Sequence, residues 1–139
     1  MGLVLDTSVF IRAERSGIPD FSPWIDYGEV AISAITVSEL LGVHRADDEN
    51  RRARRSAFVE AILVRLPVLD FTTEIARVHA GLFAALAKQG RLIGAHDLII
   101  AATALSHGSA VLTTNVSEFE RVPGLEVLTL PLIEAGKQK

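Results

Sequence analysis

The sequence predicts an α/β domain in which a central, mainly parallel sheet of about five strands lies between two layers of helices. Two observations carry that prediction. Short apolar runs of strand period alternate along the chain with longer segments of helical period. Such alternation requires right-handed crossovers, which place helices on both faces of the sheet. The length of 139 residues and a hydrophobic content of 49% suit a single domain over 1–139 with a substantial core. No linker, internal repeat or low-complexity tract divides it.

The elements follow in order. "LVL" (3–5) is the first strand, and "SVFIRAERSG" after it is a helix ending at Gly17. "EVAIS" (29–33) is the second strand, and "TVSELLGVHR" (36–45) the second helix. The charged block "ADDENRRARRSAFVEAILVRL" has helical spacing at Phe58, Ala61, Ile62 and Leu66. "PVLDF" (67–71) is the third strand. In "TTEIARVHAGLFAALAKQG", Ile75, Val78, His79, Leu82, Phe83 and Leu86 share one helical face before Gly90. "GAHDLIIAATAL" (94–105) is apolar after Asp97 except at Thr103, so the helix it predicts over 97–107 is buried on nearly every side. "AVLTT" (110–114) and "EVLTL" (126–130) complete the strands.

In open parallel sheets ligands bind in the crevice beyond the carboxyl ends of the strands. Asp6 stands just beyond the first strand, and Glu39 falls in the first turn after the second. Asp97 opens the buried helix, and Asn115 and Glu118 follow the fourth strand. Each has a local alternative. Asp6 suits an N-cap, Glu39 the third position of a capping box begun by Thr36, Asp97 a first turn, and Asn115 a turn. Local roles do not explain why the topology gathers these acids at one edge. Two unit charges about 4 Å apart repel by about 4 kcal/mol at an effective dielectric near 20. Either protonation or a cation must relieve the cluster.

Oxygen ligands without any cysteine favour a hard ion, Mg²⁺, with Mn²⁺ as a substitute. Magnesium held by few carboxylates keeps several waters, which suits activation of one for attack on a phosphate. The four histidines (His44, His79, His96 and His107) show no zinc-like pairing. His79 lies on an apolar helical face and reads as a core or boundary residue. His96 is beside the acids, where it suits a contact to one of them or to substrate.

The stretches "LVLDTSVF", "ITVSELLGV", "IGAHDLIIAATAL" and "LTTNVSEFERVPGLEVL" resemble, in this order and over nearly the whole chain, the PIN-domain nucleases, specifically VapC-type toxins of bacterial toxin–antitoxin pairs. The resemblance implies a three-layer PIN-like fold and a Mg²⁺-dependent endoribonuclease that leaves a 5′-phosphate and a 3′-hydroxyl. It implies that Asp6, Glu39 and Asp97 are the catalytic acids and metal ligands. The family's fourth acidic position, often Asp, is Asn115 here, which puts a second ion in question. Glu118, three residues on, is a candidate substitute acting through a water, with a helix-surface role as its alternative. Thr7, Ser8 and Thr114 flank these acids and are further candidate site residues. The resemblance also implies a homodimer inhibited by a VapB-like antitoxin.

A net charge of −3 argues against a protein held to nucleic acid by its overall field, but leaves room for local patches. Arg51, Arg52, Arg54 and Arg55 fall within one and a half helical turns, and Arg91 precedes the buried helix. All five are candidate RNA contacts. The alternative for the block is a solvated face with pairs such as Asp47–Arg51 and Asp48–Arg52, worth a few tenths of a kcal/mol each. Trp24 reads equally as core or interface.

Two other functions compete. An aspartate-nucleophile phosphatase also starts from an Asp after a first strand, but it needs a second Asp two residues on, where this chain has Ser8. A non-catalytic RNA- or protein-binding PIN-like domain would use the acids only as caps, and metal titration separates it from a nuclease. No apolar run reaches membrane-spanning length and no basic segment precedes "GLVLDT", so a cytoplasmic protein without a membrane partner is expected.

Overall fold

The computed structural model describes residues 2–16, 28–42 and 48–129. Five strands run parallel in the order β3-β2-β1-β4-β5: β1 (Gly2–Leu5), β2 (Val30–Ser33), β3 (Val68–Leu69), β4 (Ser109–Leu112) and β5 (Val127–Leu128). Six helices connect them among the described residues: α1 (Thr7–Ser16), α2 (Ala34–Gly42), α3 (Glu49–Arg65), α4 (Thr73–Lys88), α5 (Ala95–Ser106) and α6 (Val116–Phe119). The earliest strand is therefore central, with Leu3 opposite Val30 on one side and Ala110 on the other.

The period-two geometry of strands divides the interior in two. Leu3 and Leu5 of β1, with Ala110 and Leu112 of β4, join Val9, Phe10, Ile32, Leu40, Val59 and Ile62 in one cluster. Val4 and Val111 join Ile75, Leu82, Leu86, Leu98, Ile100 and Phe119 in the other. Helices α1 to α3 thus cover one face and α4 to α6 the opposite one. Strands covered on both faces need apolar side chains at successive positions, which is why β1 and β4 read as unbroken apolar runs.

Helix α5 is the central piece of the second layer. Leu98, Ile100, Ala101, Ala102 and Ala104 are buried, packed against α4 and the sheet. The buried Thr103 hydroxyl is satisfied by the Ile99 carbonyl at 2.7 Å. Gly108 follows the helix with φ +64°, a backbone conformation that glycine adopts without a Cβ penalty, and turns the chain into β4.

Several sequence expectations shift by a residue or more. Helix α2 begins at Ala34, so Thr36 is buried within its first turn instead of capping it. Glu39 is accordingly mid-helix, and the capping-box reading fails. Helix α5 starts at Ala95 after Gly94, which caps it without a side chain, so Asp97 lies inside the first turn. Strand β4 ends at Leu112, leaving Thr113 and Thr114 beyond it. Strand β3 is two residues long at the sheet edge, where Val68 is exposed. In α3 the inward residues are Val59 and Ile62, and Ala61 is exposed. Phe83 is 50% exposed, off the buried face of α4 that Ile75, Leu82 and Leu86 define. His79 is half-buried, its ring edge-on to Phe71 at 5.9 Å. Gly17, Trp24, His44, Asp47 and the end of the "EVLTL" run lie outside the described residues.

Candidate active site

The carboxyl ends of β1, β2 and β4 open onto one edge of the sheet, as the topology requires. Asp6 directly follows β1 and is 4% exposed. Its Oδ2 accepts hydrogen bonds from Ser8 Oγ at 2.7 Å and from Thr113 Oγ1 at 2.8 Å. Thr113 is delivered by β4, the strand paired with β1. The Asn115 N–H donates in turn to Thr113 Oγ1 at 2.8 Å, and the Thr114 N–H to Ser8 Oγ at 3.0 Å. Asp6 is thus fixed by hydroxyls from two neighbouring strand ends.

Glu39 reaches the same edge from α2. The Thr7 hydroxyl donates to Glu39 Oε1 and lies 3.3 Å from the buried Thr36 hydroxyl. The second oxygen, Oε2, pairs with His96 Nδ1 at 2.8 Å. A carboxylate only accepts, so this contact places the proton on Nδ1. Both Glu39 oxygens are therefore held, one from each side of the crevice.

Asp97 and Glu118 form a second pair. The Asp97 carboxyl is raised from 3.8 to about 8, by burial first, then by its hydrogen bond to Glu118 and the negative charges of Asp6, Glu118 and Glu39. Glu118 moves the other way, its carboxylate stabilised by that hydrogen bond and by the Gly94 N–H at 3.3 Å from Oε1. Asp97 is the more buried partner, so it holds the proton and donates it to Glu118. The pair rests on Gly94, where an added Cβ would stand 3.6 Å from Asp97 Oδ2 and 3.8 Å from Glu118 Oε1. Glu39, Gly94, Ala95, His96 and Asp97 line an open cavity of about 330 Å³.

The structure therefore brings together Asp6, Glu39, Asp97 and Glu118, with Thr7 and Ser8 as hydrogen-bond partners. Asn115 caps α6 without a side-chain bond, while Glu118 turns back onto Gly94 and Asp97. Glu118, not Asn115, is the fourth acid of the cluster. Thr113 and Gly94 are not among the residues the sequence assigns to the site, and Thr36 reads there only as a cap. Thr113 was detectable only once β4 was known to pair with β1. Among the described residues no group of three His, Asp or Glu side chains forms a ready-made metal cage. The hydrogen bonds explain this: Glu39 is tied to Thr7 and His96, and Asp97 to Glu118. Four carboxyl groups, one of them driven to hold a proton by burial first and by its acidic neighbours after that, nonetheless make a donor set chemically suited to a hard divalent cation.

The candidate arginines divide. Arg55 Nε pairs with Glu14 Oε2 at 3.1 Å, tying α3 to α1. Asp48 is the N-cap of α3, accepting from the Asn50 N–H at 2.9 Å. Arg51, Arg54 and Arg91 are exposed and Arg52 is half-buried.

Fold and site together define an α/β protein with a four-carboxylate crevice at the carboxyl edge of a parallel sheet. Comparison with known proteins gives the class a family. The PIN domain model matches residues 3–125. Ribonuclease VapC1 of Rickettsia felis is 44% identical over 131 residues, 94% of this chain and 97% of its own. The tRNA(fMet)-specific endonuclease VapC of Salmonella typhimurium is 38% identical over 104 residues, 74% of this chain and 76% of its own. Among solved structures, VapBC2 from Rickettsia felis bound to a DNA fragment from its promoter superposes with a TM-score of 0.84 at 26% identity, covering 94% of this chain and 100% of that one. The chain belongs to the PIN domain family, in its VapC branch.

Proposed function

We propose that the chain is the toxin of a VapBC-type toxin–antitoxin pair, an endoribonuclease that hydrolyses RNA phosphodiester bonds with a divalent cation, Mg²⁺ or Mn²⁺. The observation that carries the cation is the convergence of Asp6, Glu39, Asp97 and Glu118 on one crevice. A carboxyl pushed to about 8 by burial and three neighbouring acids is a site lacking positive charge. The relatives named ribonuclease and endonuclease support RNA as substrate, and the VapBC complex supports a VapB-like antitoxin as partner. A homodimer belongs to the same proposal.

In this reading Asp6, Glu39, Asp97 and Glu118 would hold the ion. When bound, it supplies Lewis acidity toward a phosphoryl oxygen and makes a water acidic enough to act as nucleophile near neutral pH. The chain supplies position. Ser8 and Thr113 fix the Asp6 carboxylate, and Thr7 and His96 fix Glu39. Asp97 and Glu118, joined by a hydrogen bond in the metal-free crevice, would both serve as oxygen ligands to the ion with Asp97 deprotonated. Preorganised carboxylates spare the reaction the cost of orienting them at each turnover.

The test is cleavage of RNA, with tRNA(fMet) first because the Salmonella relative is specific for it. Activity with Mg²⁺ or Mn²⁺, lost in EDTA and in Asp6→Asn while the variant stays folded, is the expected result. Cleavage that persists in EDTA or in Asp6→Asn overturns the proposal.

A further inference from the structure

Three consecutive residues, Asp6 to Ser8, lead from β1 into α1, and they face different parts of the crevice. Asp6 is the buried acid, and Thr7 bonds to Glu39 beside the first cavity. Ser8 borders a second cavity of about 380 Å³, lined by Ser8, Ile11, Arg12 and Thr114. Ser8, Ile11 and Arg12 share one face of α1 by their spacing of three and four residues. The wall of this second cavity is continuous with the acidic centre. Ser8 Oγ donates to Asp6 Oδ2 at 2.7 Å and accepts from the Thr114 N–H at 3.0 Å.

The two cavities differ in chemistry. Among the described residues, the first is lined by the carboxyl groups of Glu39 and Asp97, and the second by the guanidinium of Arg12 with the hydroxyls of Ser8 and Thr114. A polynucleotide lying across Asp6 places one phosphate at the acids and its neighbours to either side. The neighbours have no ion of their own, and four carboxylates repel them. A guanidinium matches a phosphate in geometry as well as charge. The Thr114 hydroxyl and the apolar flank of Ile11 suit the sugar that joins two phosphates.

We propose that this second cavity is the subsite for a non-scissile phosphate of the RNA strand, with Arg12 as its phosphate-binding residue. The proposal rests on RNA being the substrate.

The test is binding of a short fluorescein-labelled single-stranded RNA of mixed sequence, followed by anisotropy in EDTA over a range of salt. Arg12→Gln is expected to weaken binding and to reduce the salt slope by about 0.7, the loss of one phosphate contact on a single strand. Arg12→Lys keeps the charge and is expected to keep the slope. In cleavage, Arg12→Gln raises KM more than it lowers kcat. Wild-type affinity and slope in Arg12→Gln overturn the subsite. So does an equal loss in Arg12→Gln and Arg12→Lys with a matching fall in Tm, which marks a structural arginine. A wild-type protein that cleaves RNA while Arg12→Gln matches it sinks the subsite alone. A wild-type protein that neither binds nor cleaves RNA sinks the ribonuclease reading and the subsite together.

Discussion

Replacing Asp97 by Asn is expected to stabilise the protein in the absence of a cation, and to do so increasingly as pH rises. The folded carboxyl ionises at about 8 and its ordinary value is 3.8. Between those values the folded state binds more protons than the unfolded state, so wild-type stability falls with rising pH across that window. Below it the group contributes no difference, and above about 8 the loss is complete. Asparagine never ionises and escapes the loss. At full strength a shift of this size corresponds to about 6 kcal/mol. Asp97 is only partly buried, and screening by solvent reduces the effect to about 1–3 kcal/mol. For a chain of this length that is a Tm gain of about 3–10 °C. Thermal and urea unfolding of both proteins in EDTA, at about pH 5 and about pH 9, measures it directly. The gap should be small at the lower pH and full at the higher. An Asn variant less stable than wild type, or a gap that does not widen with pH, refutes the electrostatic account of the site.

Three further outcomes follow from the geometry. RNA cleaved by activated water with the 3′ oxygen as leaving group carries a 5′-phosphate and a 3′-hydroxyl, and end-group analysis of one product checks this; a 2′,3′-cyclic phosphate, formed by attack of the 2′-hydroxyl, points to another mechanism. Glu118→Gln should weaken Mn²⁺ binding about tenfold by calorimetric titration, since divalent affinity follows ligand charge, while Asn115→Ala should change it little. Gln at both Arg51 and Arg54 should lower the salt slope of RNA binding by about 1.4 without moving Tm, whereas Arg55→Gln should lower Tm slightly through loss of the Glu14 pair; an unchanged slope in the double variant removes α3 from the RNA path.

Asp6, Glu39 and Asp97 were legible in the sequence because each is tied to the end of an apolar run, and a parallel sheet sends such positions to one edge. The choice between Asn115 and Glu118 was not legible. It depends on the single turn of α6, which leaves Asn115 as a cap and swings Glu118 back to Gly94. Glu39 was placed at the right edge for the wrong local reason, since α2 starts two residues earlier than its apolar pattern indicates. Ser33 accounts for that start: its hydroxyl accepts the Ile35 N–H at 3.1 Å, a helix-initiating bond that β2 conceals by ending on the same residue. The arginine block reads as one feature in the sequence, yet the angular positions of its members give Arg55 to Glu14 and leave Arg51 and Arg54 in solvent.

The central place of β1 bears on how the protein is made. The chain's first strand cannot complete its pairing until β4 exists, and the Asp6–Thr113 hydrogen bond closes a separation of 107 residues. Glu118 comes later still. At bacterial and eukaryotic translation speeds, roughly 5–20 residues per second, about 6–22 s separate synthesis of the first acid from synthesis of the last. Throughout that interval a ribosome-bound or prematurely terminated chain lacks the residues that assemble the crevice. Such fragments lack β4, Thr113 or Glu118, so the crevice is completed only when nearly the whole chain has been made.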